Sequence, residues 1–210
     1  MLKIDERLIE KEDQYIRYSL SYPVIDLNNK FVEYINEDMY YSILSFKDVV
    51  RDILEDEELD IVVDLLSEFD VTFNDNNIVS IPIEFSQFIG TNNISYINAY
   101  NYDINLEKEI KLSDVFNKKL DYRDILSEAI RLKIISNYSE GEEQKLVYLP
   151  DYIWIDDEQT FYIEEDGLTI CFSGYELGIL SCDIIEFKIR YENTIEYLSD
   201  YFIRRVLLKE

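Results

Sequence analysis

Three observations predict an α+β fold with antiparallel sheets packed against a long helix in the N-terminal half, a mid-chain helix and a C-terminal helix. Hydrophobic residues make up 47% of the 210-residue chain and aromatics 14%, including 18 Tyr and 11 Phe, so the chain can bury a substantial core and is not disordered. Only 5 Gly and 3 Pro occur, too few for a turn-dense sandwich or propeller, which favours long elements joined by Asn- and Asp-rich turns. The apolar spacing also switches repeatedly between the period of two that marks strands and the threes and fours that mark helices.

The elements follow in order. Leu2 to Ile9 and Tyr15 to Tyr22 alternate as two strands about a polar turn at Glu10 to Gln14, and Pro23 is expected to close the second. Asn28 and Asn29 can cap a helix whose stripe is Phe31, Ile35, Met39, Ile43, Phe46, Val50 and Leu54, with Glu55-Asp56-Glu57-Glu58 interrupting it. Ile61 to Leu66 is either a further helical turn or a strand. Val71 to Phe73 and Ile78 to Phe85 form strands around Asn74-Asp75-Asn76-Asn77, residues that tolerate left-handed backbone. Ile94 to Leu106 is a long alternating strand, Ser113 to Phe116 a capped helical turn, and Asp121 caps a helix presenting Ile125, Ala129, Leu132 and Ile135 on one face. Phe161 to Phe172 is a hairpin with Asp166-Gly167 as its two-residue turn, pairing Ile163 with Ile170 and Phe161 with Phe172. Cys182 to Arg190 supplies a last strand. Ile195, Leu198, Phe202 and Val206 give a C-terminal helix whose end carries Arg204, Arg205 and Lys209, cations that suit its negative pole. Two lobes are expected, residues 1–107 and 108–210, packed as one unit.

The formal net charge is -25, which disfavours nucleic acid and anionic membrane as partners, since both recruit Lys and Arg clusters. A cationic protein fits better. Acidity is also positional. No Lys or Arg occurs from Asp52 to Glu107, a span with thirteen carboxylates, or from Leu146 to Phe187, a span with ten. The charged N-terminus lacks the apolar region of a signal peptide, and no stretch is apolar enough to insert in a membrane. A cytoplasmic location is expected for the chain as it stands, and an extracytoplasmic one if it is cut from a longer protein. Cys171 and Cys182 are expected as free thiols, with pairing open if two strand ends meet.

The chain has no histidine, which removes Ser-His-Asp and Cys-His catalysis and histidine-ligated metal centres. Glycines at 90, 141, 167, 174 and 178 cannot form a phosphate-cradling loop. Around the single Asp-Gly an EF-hand would need a carboxylate where Tyr162 stands. No cofactor and no metal is therefore expected, and the chain is expected not to be an enzyme. The alternative is a glycan-acting enzyme of the cell wall using paired carboxylates among Asp156, Asp157, Glu158 and Glu164 to Asp166, near Trp154. The interleaved aromatics and acids there, Trp154, Asp156 and Asp157, also read as a candidate binding ridge.

Several segments together resemble a domain pair of unknown function found in the lysozyme-sensing anti-sigma factor of Gram-positive bacteria and beside some peptidoglycan deacetylase modules. They are Tyr18 to Pro23 with Ile35-Asn36, then Asn76 to Ile81, then Asn101 to Ile104 with Ile110 to Phe116, and finally Phe161 to Phe172 with Tyr175-Glu176. The resemblance implies a non-catalytic binding or sensing module, with a lysozyme-like partner. The loops at Gly90, Thr91, Asn92 and Asn93 and at Tyr175 and Glu176 are those it implies would touch a ligand. Leu106-Glu107 stands where the family has Thr-Gly.

Overall fold

The computed structural model describes residues 1–56, 62–139, 153–177 and 184–209. Ten strands form two sheets. The large one has seven strands, β1 (Ile4–Glu12), β2 (Ile16–Ile25), β3 (Val63–Phe69), β4 (Phe73–Asp75), β5 (Ile78–Ile89), β6 (Asn92–Asp103) and β7 (Lys108–Glu109), in the order β1-β2-β3-β5-β6-β7 with β4 also pairing β5. The small one runs β10 (Ile184–Arg190), β9 (Gly167–Ser173), β8 (Phe161–Ile163). All pairs are antiparallel except β2 with β3, which are parallel because the connection between them contains the helix α1 (Lys30–Asp56). The α+β expectation is borne out.

The side chain of Asn29 starts α1 by accepting from the Phe31 and Val32 amides at 2.7 and 3.2 Å. Its apolar stripe, Val32, Ile35, Met39, Ile43 and Phe46, is wholly buried against Leu20, Val63, Leu65, Val79, Ile81, Ile83, Phe85, Tyr100 and Tyr102 of the sheet. Each fully buried aliphatic side chain of this kind contributes on the order of 1.5–3 kcal/mol of transfer free energy. A second core joins α3 (Tyr122–Ser139), the small sheet, α2 (Leu112–Val115) and the C-terminal segment, and takes Phe73 and Ile78 from the large sheet.

Several expectations are corrected. Pro23 does not end β2, which continues to Ile25. The bonds Asp13 N to Ile16 O and Asp26 N to Lys3 O, both 2.9 Å, set the β1–β2 ladder so that odd residues of β2 point their backbone groups away from β1. Pro23 lies on that side, beyond the last residue of β2 paired with β3, Leu20, where no donor is needed. The same side of Ile25 is satisfied by a helix side chain: Asn36 accepts from its N–H at 2.9 Å and donates to its carbonyl at 3.0 Å.

Ile61 lies outside the described residues, and Val63 to Leu66 of its segment are strand. Val71 is an exposed loop residue, and the following hairpin turns on Asn76 and Asn77 alone, at φ of 50° and 56°. In α3 the buried line is Tyr122, Leu126, Ile130 and Ile134, whereas Leu132 is 55% exposed and Ile135 is exposed too, so the expected face is rotated by about one residue. The Phe161–Phe172 hairpin turns at Glu165-Asp166, so Ile163 faces Leu168 and Phe161 faces Ile170. A shift of two residues keeps every side chain on its expected face. Gly167 serves instead for close approach, because a Cβ there would stand 2.7 Å from the Ile189 carbonyl of β10. The C-terminal helix begins at Asp200, capped by Ser199, and continues as a π turn from Ile203 to Leu207, while Ile195 sits in an exposed 3-10 turn. Cys171 is buried with a free thiol, and Cys182 lies outside the described residues.

Candidate functional site

The large sheet has one face under α1. Its other face is covered by the small sheet only at the end near Ser80 and Asn101. There the edge of β8 is held by side chains rather than by another strand. Ser80 Oγ donates to Asn101 Oδ1 at 2.6 Å and accepts from the Ile163 amide at 2.8 Å, and Asn101 Nδ2 donates to the Phe161 carbonyl at 2.8 Å. Beside it Asp103, fully buried, accepts from Arg205 and from the Tyr201 hydroxyl, and Arg205 also donates to the Asn76 carbonyl. Burial, reinforced by Asp103, pushes the Tyr201 phenol up, so it stays a neutral donor. Every polar group named in this seam has a partner.

The uncovered remainder of that face is an open groove of about 640 Å³. Leu8, Leu66, Pro82 and Ile97 contribute its apolar surface, and Ser19, Ser21 and Thr72 its hydroxyls. Five carboxylates line it: Glu6 on β1, Glu68 on β3, Asp70 just after it, Glu84 on β5 and Glu186 on β10, with no Lys or Arg among the lining residues. Both cation-free stretches therefore meet here, the first supplying Glu68, Asp70 and Glu84 and the second Tyr162 and Glu186. The sheet geometry explains the convergence. Glu68 and Glu84 are direct cross-strand partners on one face, a placement that brings Cβ atoms to about 4.5–5.5 Å and is unfavourable for like charges.

Their local partners are neutral. Ser21 donates to Glu6 at 2.6 Å, Ser86 to Glu84 at 3.3 Å and Tyr162 to Glu186 at 3.0 Å. Burial and the Glu186 carboxylate push the Tyr162 phenol up, which keeps it a donor. Burial, with Glu186 adding to it, likewise raises the Cys171 thiol behind that carboxylate and keeps it protonated. Among the described residues no group of three His, Cys, Asp or Glu side chains is arranged to hold a metal ion, so the groove's acids are spread along a surface.

The residues singled out by sequence lie elsewhere. Gly90 and Thr91 form the two-residue turn between β5 and β6, Gly90 at φ 59°, and Asn92 and Asn93 open β6. Asp156 and Glu176 are brought together in a smaller cavity of about 150 Å³ with Tyr96 and Phe172. Asp157 is held by the Tyr122 hydroxyl at 2.9 Å and by Arg123. Burial, with the Asp157 contact next, pushes the Tyr122 phenol up to about 12. Asp156 accepts from the Glu158 amide at 2.8 Å and Glu158 pairs with Lys111 at 3.0 Å, so the acids beside Trp154 are engaged in turn and ion-pair contacts. Trp154 is 72% exposed, and Tyr175 sits in a 3-10 turn with its side chain outside the described set. Glu6, Glu68, Asp70, Glu84 and Glu186 were not legible one by one, although the two cation-free stretches carry four of them.

Residues 113–192 match the family described as DUF3298, protein of unknown function. The fold resembles two crystal structures of that family. A member from Bacteroides fragilis NCTC 9343 superposes with a TM-score of 0.64 at 17% identity, over 100% of this chain and 98% of that one. One from Pseudomonas aeruginosa PAO1 superposes with a TM-score of 0.65 at 14% identity, over 95% of this chain and 94% of that one. No curated protein sequence matches the chain.

Proposed function

We propose that the chain, which carries a DUF3298 family domain over residues 113–192, is a non-catalytic binding module whose anionic groove receives a cationic protein. The observation that carries this reading is the pairing of Glu68 with Glu84 in a groove lined by five carboxylates and no cation. Like charges placed in register on an exposed sheet face cost stability, and a basic partner relieves that cost on binding. The sequence resemblance to the ectodomain of a lysozyme sensor points to the same class of partner, a compact basic protein. The apolar strip through Leu8, Leu66 and Ile97 suits the aliphatic stems of Lys and Arg, whose heads would reach the surrounding acids.

Calorimetry with hen lysozyme, and with an acidic protein of similar size as control, tests the proposal. Binding of lysozyme alone at low ionic strength, weakening at least about tenfold on approaching physiological salt, is the expected result. Lack of binding at every ionic strength would remove it, and turnover of peptidoglycan fragments would replace it with the carboxylate-enzyme reading.

A further inference from the structure

Resting on that reading of the groove, we propose that the partner presents an extended, Lys- or Arg-bearing segment that adds to the free edge of β1 as a further strand. Four strands end the two sheets, β1, β7, β8 and β10, and the three-residue β4 pairs β5 alone. At β8 the outward groups Phe161 O and Ile163 N are taken by Asn101 and Ser80. At β10 the outward Lys188 and Arg190 carbonyls are taken by the Lys133 ammonium and the Thr194 hydroxyl, which leaves a shorter open stretch at Ile184 and Glu186 than β1 has. β7 is only two residues long. β1 is nine residues long, and its ladder to β2 consumes the backbone groups of its odd residues. Ile4, Glu6, Leu8, Glu10 and Glu12 therefore point their N–H and C=O groups outward, and among the described residues nothing hydrogen-bonds to them. The edge is closed only just before this stretch, where the Asn74 amide takes both backbone groups of Leu2.

Charge decides the occupant. β1 carries four acids, Asp5, Glu6, Glu10 and Glu12, against Arg7 and Lys11. A second copy of a chain with net charge -25 would be repelled, whereas a basic segment is attracted. Because side chains alternate along a strand, an added strand places every second residue on the groove side, next to Glu6 and Leu8. Lysines or arginines at alternate positions would thus meet the acids while the backbone pairs with β1.

The test uses a short synthetic peptide alternating Lys and Val, the same peptide with alternate backbone amides N-methylated, and lysozyme. Two variants accompany them: Glu10→Pro, which removes an outward N–H without touching the ladder to β2, and Glu10→Ala, which removes the same charge but keeps the amide. The peptide is expected to bind, N-methylation to weaken it about tenfold, and Glu10→Pro to bind about tenfold more weakly than Glu10→Ala. Equal affinity of the methylated and parent peptides, or of the two variants, would overturn the proposal. Should Glu10→Pro fail to fold, the methylated peptide decides alone. If lysozyme binds and the peptide does not, the edge is wrong and the groove stands; if neither binds, both fall. Concentration-dependent dimerisation abolished by Glu10→Pro would assign the edge to a second copy and also overturn it.

Discussion

The seam between the two sheets and the groove beside it lie on the same face of the large sheet, yet they treat carboxylates in opposite ways. In the seam, buried Asp103 has Arg205, Tyr201 and the Leu106 amide around it. In the groove, Glu68 and Glu84 stand side by side with only neutral hydroxyls nearby. Burial explains the first, because an unpaired charge removed from water costs several kcal/mol. Solvent explains how the second is tolerated, since screening leaves exposed like charges only mildly unfavourable. The difference separates a carboxylate that holds the fold from one that the fold leaves available.

Four experiments test that contrast, in order of expected size. Arg205→Met should cost about 3–5 kcal/mol, because it strands the Asp103 charge in the interior; chemical denaturation checks it, and a loss under about 1 kcal/mol would break the contrast. Alkaline pH attacks the same side. Burial raises the phenols of Tyr201 in the seam and of Tyr191 in the second core above their ordinary values, so the stability they contribute is complete below about pH 10 and is lost as pH climbs through the raised values. Unfolding followed with tyrosinate absorbance should therefore set in above that pH, and Tyr201→Phe should blunt it. Asn101→Ala should cost about 1–3 kcal/mol by leaving Phe161 O and Ser80 Oγ short of a partner. Glu84→Gln, in the groove, should change stability by no more than about 0.5 kcal/mol and in the favourable direction, because it relieves Glu68.

The parts of this architecture governed by local physics are readable in the sequence. Asn29 as a cap, the α1 stripe and the paired left-handed Asn76-Asn77 turn each follow from neighbouring residues. Local pattern misleads where a distant element decides. Gly167 looks like a turn residue but answers to β10 twenty-two residues later, and Pro23 looks like a strand end but sits where β3 no longer pairs. The α3 face is set by what it packs on, so Leu132 and Ile135, apolar at helical spacing, end up exposed. The groove was half visible for the same reason. Absence of cations is a property of a stretch and can be read directly, whereas the register that sets Glu68 beside Glu84 depends on how β3 finds β5.

In the proposed role, the groove's uncompensated acids receive a basic partner. Association kinetics of lysozyme with the native protein and with the Glu68→Lys, Glu84→Lys double variant, over a salt series, tests it most directly. An association rate that falls steeply with salt is expected in the native protein, and the variant should fold normally but associate at least about tenfold more slowly at low salt. A variant that associates as fast as the native protein would contradict it.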